Sequence, residues 1–121
     1  MADIAYNIER SALLDTRQAT IVKWADIGKD EVGISWISGE YTDKTVHILG
    51  NFSDSTVTIE GTNESTPSNF VILTDPQGNP ISKVVAAIEA ITESPLYLRP
   101  KVSGGTTPSV TVIIVAKKNK R

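Results

Sequence analysis

The chain has 121 residues, 12 lysines and arginines against 14 aspartates and glutamates, a net charge of −2 and no cysteine. That is the length of one domain, able to hold a core without staples, and the lack of cysteine excludes a disulfide framework and thiolate chemistry. No stretch approaches the roughly 20 apolar residues of a membrane-spanning helix, and the opening Met1-Ala2-Asp3-Ile4-Ala5-Tyr6 lacks the basic and apolar regions of a signal peptide. The Asn-x-Ser sequences at Asn51 and Asn63 are therefore read as coincidental.

Charge is unevenly placed. Lys117, Lys118, Lys120 and Arg121 put four positive charges in the last five residues, and subtracting them from −2 leaves −6 for the rest. Such a tail suits an acidic partner or nucleic acid, or is simply solvated.

In residues 3–9, Ile4, Tyr6 and Ile8 alternate with Asp3, Asn7 and Glu9, a period of two that predicts an extended segment. Ile4, Ile8 and Leu14 also fit one side of a helix. Residues 10–17 mix charges with Leu13 and Leu14, so residues 1–17 are expected to form an extended N-terminal arm that packs on a partner. Gln18 to Ala25 is rich in β-formers and reads as a strand. Asp26 to Gly33 reads as a loop, and Ile34 to Ile37 as a short strand.

Thr45 to Thr62 is the clearest β pattern. Val46, Ile48 and Phe52 share one parity with Gly50 between them; after Ser53-Asp54-Ser55, Val57 and Ile59 alternate with Thr56, Thr58 and Glu60. Alternation sends one face to a core and the other to water. Because short polar side chains bond their own backbone in turns, the stretch reads as a β-hairpin. Phe70 to Leu73 is an apolar run of strand length, and Asp75-Pro76-Gln77-Gly78-Asn79-Pro80 is a strong turn signal. In 81–93, Ile81, Val84, Val85, Ile88 and Ile91 match helical spacing. The β-branched content favours instead a strand with an irregular piece near Ala86–Ala87, with the helix as the alternative. Leu96 to Arg99 reads as a strand that Pro100 places at an edge or end. Val110 to Val115 is apolar on both faces and so is expected to be central or covered. Turn signals about every ten residues predict an all-β chain: an antiparallel β-sandwich, jelly-roll-like, over residues 18–116, with the arm at 1–17 and the basic tail at 117–121.

Catalytic and ligand-binding patterns are sparse. His47 is the only histidine, and zinc requires several nitrogen or sulfur ligands. Alternation places it on the outer face. No Gly-x-Ser-x-Gly elbow, phosphate-binding glycine pattern or calcium-loop spacing occurs, so no catalytic residue, cofactor or metal is expected. Basic residues are not interleaved with aromatics, which argues against a specific nucleic-acid interface. Leu49 shares the parity of His47 and with Trp24 or Trp36 is expected to form part of an interaction surface, or to be covered by a second layer.

Lys44 to Phe52, followed by Thr56-Val57-Thr58-Ile59-Glu60-Gly61-Thr62-Asn63-Glu64, resembles small β-sandwich virion proteins of tailed bacteriophages. In that family a strand ending in Gly-x-Phe precedes one ending in Glu-Gly-Ser-Asn-Asp. The resemblance continues through Phe70 (often tryptophan there), Leu73-Thr74-Asp75-Pro76-Gln77-Gly78, Tyr97-Leu98-Arg99-Pro100, Gly104-Gly105 and Val110-Thr111-Val112. It covers about residues 44–116 and departs at Thr62, Glu64 and Ser65. It implies a capsid decoration (cement) protein: made in the bacterial host cytoplasm, bound to the virion's outer capsid surface, reinforcing the major capsid protein lattice. It also implies a homo-oligomer, with a trimer favoured over a dimer. The expected partner-binding residues are Ile4, Tyr6 and Ile8 in the arm, Leu49 on the sheet, and Lys117, Lys118, Lys120 and Arg121 in the tail. The alternative is a carbohydrate-binding sandwich on a virion or tail, which would need Trp24, Trp36 and Tyr41 exposed.

Overall fold

The computed structural model describes residues 3–9 and 18–118. Among them all regular structure is β: β1 (Tyr6–Glu9), β2 (Ala19–Ile27), β3 (Trp36–Ile37), β4 (Asp43–Asn51), β5 (Ser55–Thr62), β6 (Val71–Ile72), β7 (Ser82–Lys83), β8 (Ala87–Ile91), β9 (Tyr97–Gly104) and β10 (Ser109–Lys117). One sheet runs β1-β2-β10-β4-β8; the other runs β3-β9-β5-β6, with β7 also on β5. All strand pairs are antiparallel. Set β1 aside and treat β6 and β7 as one interrupted strand. The remaining strands then order 1-8-3-6 in one sheet and 2-7-4-5 in the other, which is the double Greek key of a jelly roll.

The core is where the alternation put it. Val46 and Ile48 of β4, Val57 and Ile59 of β5, and Val110, Val112 and Ile114 of β10 are fully buried between the sheets. β10 is central, flanked by β2 and β4. The segment 81–93 is extended, with β8 starting at Ala87 after a bend at 84–85, and no helix forms. Pro100 lies inside β9. Its carbonyl accepts from Gly33 of the loop before β3. Strand β3 is too short to reach it, so no ladder bond is lost at its missing N–H.

The expected hairpin is not one. β4 pairs with β10 and β8, whereas β5 pairs with β9, β6 and β7. Ser53 and Asp54, both at positive φ, carry the chain from one sheet to the other. Gly50, at φ +116°, precedes this corner, and an added Cβ there would lie 2.5 Å from the Ser109 carbonyl oxygen. Local alternation specifies strands and faces; partners are chosen by the whole chain's packing.

The described part of the expected arm, residues 3–9, is bound to the sandwich itself. β1 pairs along β2, and Tyr6 packs edge-on against Trp24, ring centroids 5.7 Å apart. Ile4 donates to the Val32 carbonyl and its own carbonyl accepts from Ile34, at 2.9 and 2.8 Å. Residues 10–17 lie outside the described residues.

Candidate interaction surface

The outer face of the five-stranded sheet follows from strand register. His47 is opposite Ile113 on one side and Ile88 on the other; Thr45 is opposite Val115 and Ala90; Lys23 and Ile21 extend the rows onto β2. Because both faces of β10 are apolar, the row facing away from the core presents Ile113 and Val115, both half-buried. Leu49 and His47 are half-buried on this face, as their parity required.

A second apolar zone is set by the topology. β6 and β7 lie at the edge of one sheet and β8 at the edge of the other. On these strands and the bend between them, Val71, Val84, Val85 and Ile88 are 71, 61, 65 and 64% exposed. Ile81 and Ile91, from the same 81–93 pattern, are buried. Lys83 on β7 and Glu89 on β8 form an ion pair of 2.9 Å that ties the two sheet edges together. Val84, Val85 and Ile88 follow one another within the 81–93 segment, whereas Val71 sits further along the edge, opposite Gly61; exposed apolar side chains that lie together mark a candidate interaction site.

Beside β6 an open cleft of about 380 Å³ is lined by Gly61, Thr62, Val71, Leu73, Glu93 and Pro95, among others. Its carboxylate is committed: Glu93 accepts from the Thr74 amide and hydroxyl. Burial pushes the Glu93 carboxyl up, but those bonds and the Lys44 charge outweigh it and hold it below the usual range. Lys44 is only 1% exposed. Its ammonium donates to the Tyr41 carbonyl at 2.9 Å and to the Ser94 hydroxyl at 3.3 Å. Desolvation lowers its pKa, opposed by Asp43 and Glu93. Among the described residues no group of three histidines, cysteines, aspartates or glutamates is arranged to hold a metal ion.

Of the residues at which the sequence departs from the resemblance, Thr62 lines the cleft, and Glu64 holds Asn69, which also lines it. The Thr62 hydroxyl accepts from the Glu64 amide at 3.2 Å. The Glu64 carboxylate accepts from the amide and hydroxyl of Ser68 and from the amide and side chain of Asn69, at 2.7 to 3.1 Å. Those bonds, led by the Asn69 amide, lower its pKa to about 2. Three resemblance motifs also meet in space. Arg99 lies 3.8 Å over the Phe70 ring, and its Nε donates to Glu60 at 2.9 Å. An aromatic at position 70 thus serves as the face for a cation from β9.

The expected partner-binding residues do not form one patch. Ile4 and Tyr6 are partly buried against the chain's own core, while Ile8 is exposed at the end of β1. Leu49 is on the outer sheet face, at the opposite end of β4 from Lys117, which pairs with Asp43. Lys118 forms an ion pair of 3.0 Å with Glu40, which raises its pKa. Lys120 and Arg121 lie outside the described residues. Trp24 and Trp36 are buried, so neither joins Leu49 at the surface, and Tyr41 stacks on Trp36 at 5.4 Å. The residues that sequence reasoning missed are Val71, Val84, Val85 and Ile88. The helical spacing noted in 81–93 takes in Val84, Val85 and Ile88 without singling them out as exposed. Nothing local distinguishes them from Ile81 and Ile91.

No family model matches the chain, and no curated protein matches its sequence significantly. Among solved structures it is similar to the SPBc2 prophage-derived protein YomS, with a TM-score of 0.63 and 12% identity, over 92% of this chain and 100% of that one. It is also similar to the K2 cleaved adhesin domain of Lys-gingipain, with a TM-score of 0.50 and 8% identity, over 94% of this chain and 83% of that one. A cupin family protein with a double-stranded β-helix fold from Methanocaldococcus jannaschii aligns at a TM-score of 0.46 and 13% identity, over 98% of this chain and 93% of that one. At such identities the shared property is the fold: an all-β sandwich that a prophage-derived protein adopts over its whole length.

Proposed function

We propose that this chain is a structural virion protein that binds the outside of a phage capsid as a homo-oligomer and stabilises the major capsid protein lattice. The observation that carries the reading is the apolar zone along β6 to β8, where Val71, Val84, Val85 and Ile88 stand exposed on a two-sheet scaffold. Such a surface is built for protein contact. The phage setting is supported by the family resemblance across residues 44–116 and by the fold shared with a prophage-derived protein. A ligand that binds only the assembled shell shifts its equilibrium against dismantling, by an amount that grows with ligand concentration over Kd. The carbohydrate alternative has lost its platform, because Trp24 and Trp36 are in the core and Tyr41 is stacked on one of them.

The test is co-sedimentation of the purified protein with phage shells prepared without it. Saturable binding at a fixed ratio to the major capsid protein is expected; no binding at any concentration would overturn the assignment to the shell.

A further inference from the structure

We infer that the Lys83–Glu89 ion pair is an edge guard: it bridges the gap between the two sheets beside β8 and so keeps that strand from pairing with another chain. The inference does not depend on the capsid reading.

β8 ends the five-stranded sheet, and among the described residues no strand lies beyond it. Such an edge presents unpaired N–H and C=O groups on which a further strand can grow. The local sequence does little to prevent this. From Val84 to Ile91 the chain reads Val-Val-Ala-Ala-Ile-Glu-Ala-Ile, without lysine, arginine or proline. The other edges are blunted differently: β3, β6 and β7 are two residues each, and β1 carries Glu9 in an ion pair with Lys23.

Glu89 is opposite Val46 on β4, and Lys83 is opposite Val57 on β5. Residues directly opposite share a face of the sheet, and Val46 and Val57 are wholly buried. Both charges therefore point inward, one from each sheet. They meet at 2.9 Å, with side chains only 26 and 25% exposed. Inward-pointing charge is one of the devices by which β proteins protect an edge. A strand added to β8 would send its own inward side chains into the space that this pair bridges. It would have to part Lys83 from Glu89, and a partly buried carboxylate left without its partner is strongly unfavourable. Val84, Val85 and Ile88 remain exposed. The guard thus denies the backbone edge to a partner and leaves the apolar side chains open to a partner's surface.

A pair that guards an edge and a pair that only stabilises the fold respond differently to apolar replacement. Exchanging a partly buried ion pair for apolar residues of similar volume is often neutral or stabilising. The double variant Lys83→Met, Glu89→Leu should therefore fold with a Tm no lower than the wild type's, and yet associate. Static light scattering of the purified full chain over a dilution series should give it at least twice the wild-type weight-average mass at the highest concentration. Adding Ile88→Lys, which sets a new charge on the exposed face of β8, should return the mass to the wild-type value. A double variant with wild-type mass at every concentration overturns the proposal, whatever its Tm. Association that Ile88→Lys leaves intact places the contact elsewhere and overturns it too. If circular dichroism shows the double variant unfolded, Glu89→Gln alone carries the same test with the same outcomes.

Discussion

Gly33 is the tightest junction between the N-terminal segment and the core, and replacing it with alanine should destabilise the protein by about 2 kcal/mol. Its amide donates to Pro100, and its neighbours Val32 and Ile34 hold Ile4 on either side. A Cβ at this position would lie 2.5 and 2.6 Å from the Trp24 indole and 2.7 Å from the Pro100 ring. Carbon contacts are comfortable at about 3.5–4.0 Å, so a buried indole must shift by roughly 1 Å. Overpacking of this kind costs about 1–3 kcal/mol. The shift also strains the bond from Trp24 Nε1 to the Ile34 carbonyl, now 2.9 Å, worth about 1 kcal/mol. Against this, alanine removes unfolded-state entropy worth about 0.4–1 kcal/mol. At about 2.1 cal/mol/K per residue the unfolding entropy of a 121-residue chain is about 250 cal/mol/K, so the net effect is a fall in Tm of about 8 °C. Thermal unfolding followed by circular dichroism, with tryptophan fluorescence read at low temperature, measures both stability and the Trp24 environment. Gly78→Ala is the control: nothing lies within 4 Å of its added Cβ, but φ is +87°. It should lose about 1 kcal/mol and leave the fluorescence unchanged. A Gly33→Ala protein with unchanged Tm and spectrum would refute the packing argument.

Glu64→Gln should loosen the loop at 64–69 without unfolding the sandwich, seen as faster hydrogen exchange at the Ser68 and Asn69 amides. In the wild type the folded Glu64 pKa is about 2 against 4.5 for the free group. Its contribution is therefore complete above pH 4.5 and lost as pH falls through about 2; NMR titration of those amides checks this, and a midpoint near 4.5 would contradict it. Lys44 acts in the same direction, but on the alkaline side. With its folded pKa below 10.5, the unfolded chain binds more protons between the two values, so stability rises with pH in that window. Urea unfolding of wild type and Lys44→Met over that range should show the rise in the wild type alone; parallel slopes would remove Lys44 as its cause.

Much of this was legible in the sequence wherever a single strand's own alternation decided the outcome. Val57 and Ile59, or Val110 and Val112, announce which face is buried. Even the buried Lys44 shares the parity of Val46 and Ile48, although its charge argued for the surface. The jelly-roll class followed from strand count and turn spacing. Pairing was not legible: Ser53-Asp54-Ser55 reads locally as a hairpin turn, and only the placement of β8, β9 and β10 shows that it joins two sheets. Nor was the apolar zone legible. Val84, Val85 and Ile88 differ from Ile81 and Ile91 only in where the interrupted strand crosses from one sheet to the other. The Glu60–Arg99–Phe70 contact likewise joins residues distant along the chain, and only the fold brings them together.

The most direct test of the central claim is the melting temperature of phage shells with and without saturating protein. The account expects the shell transition to rise, and to rise further with free protein concentration, because the ligand binds only the assembled state. A shell transition that stays where it was with protein bound would contradict a stabilising role.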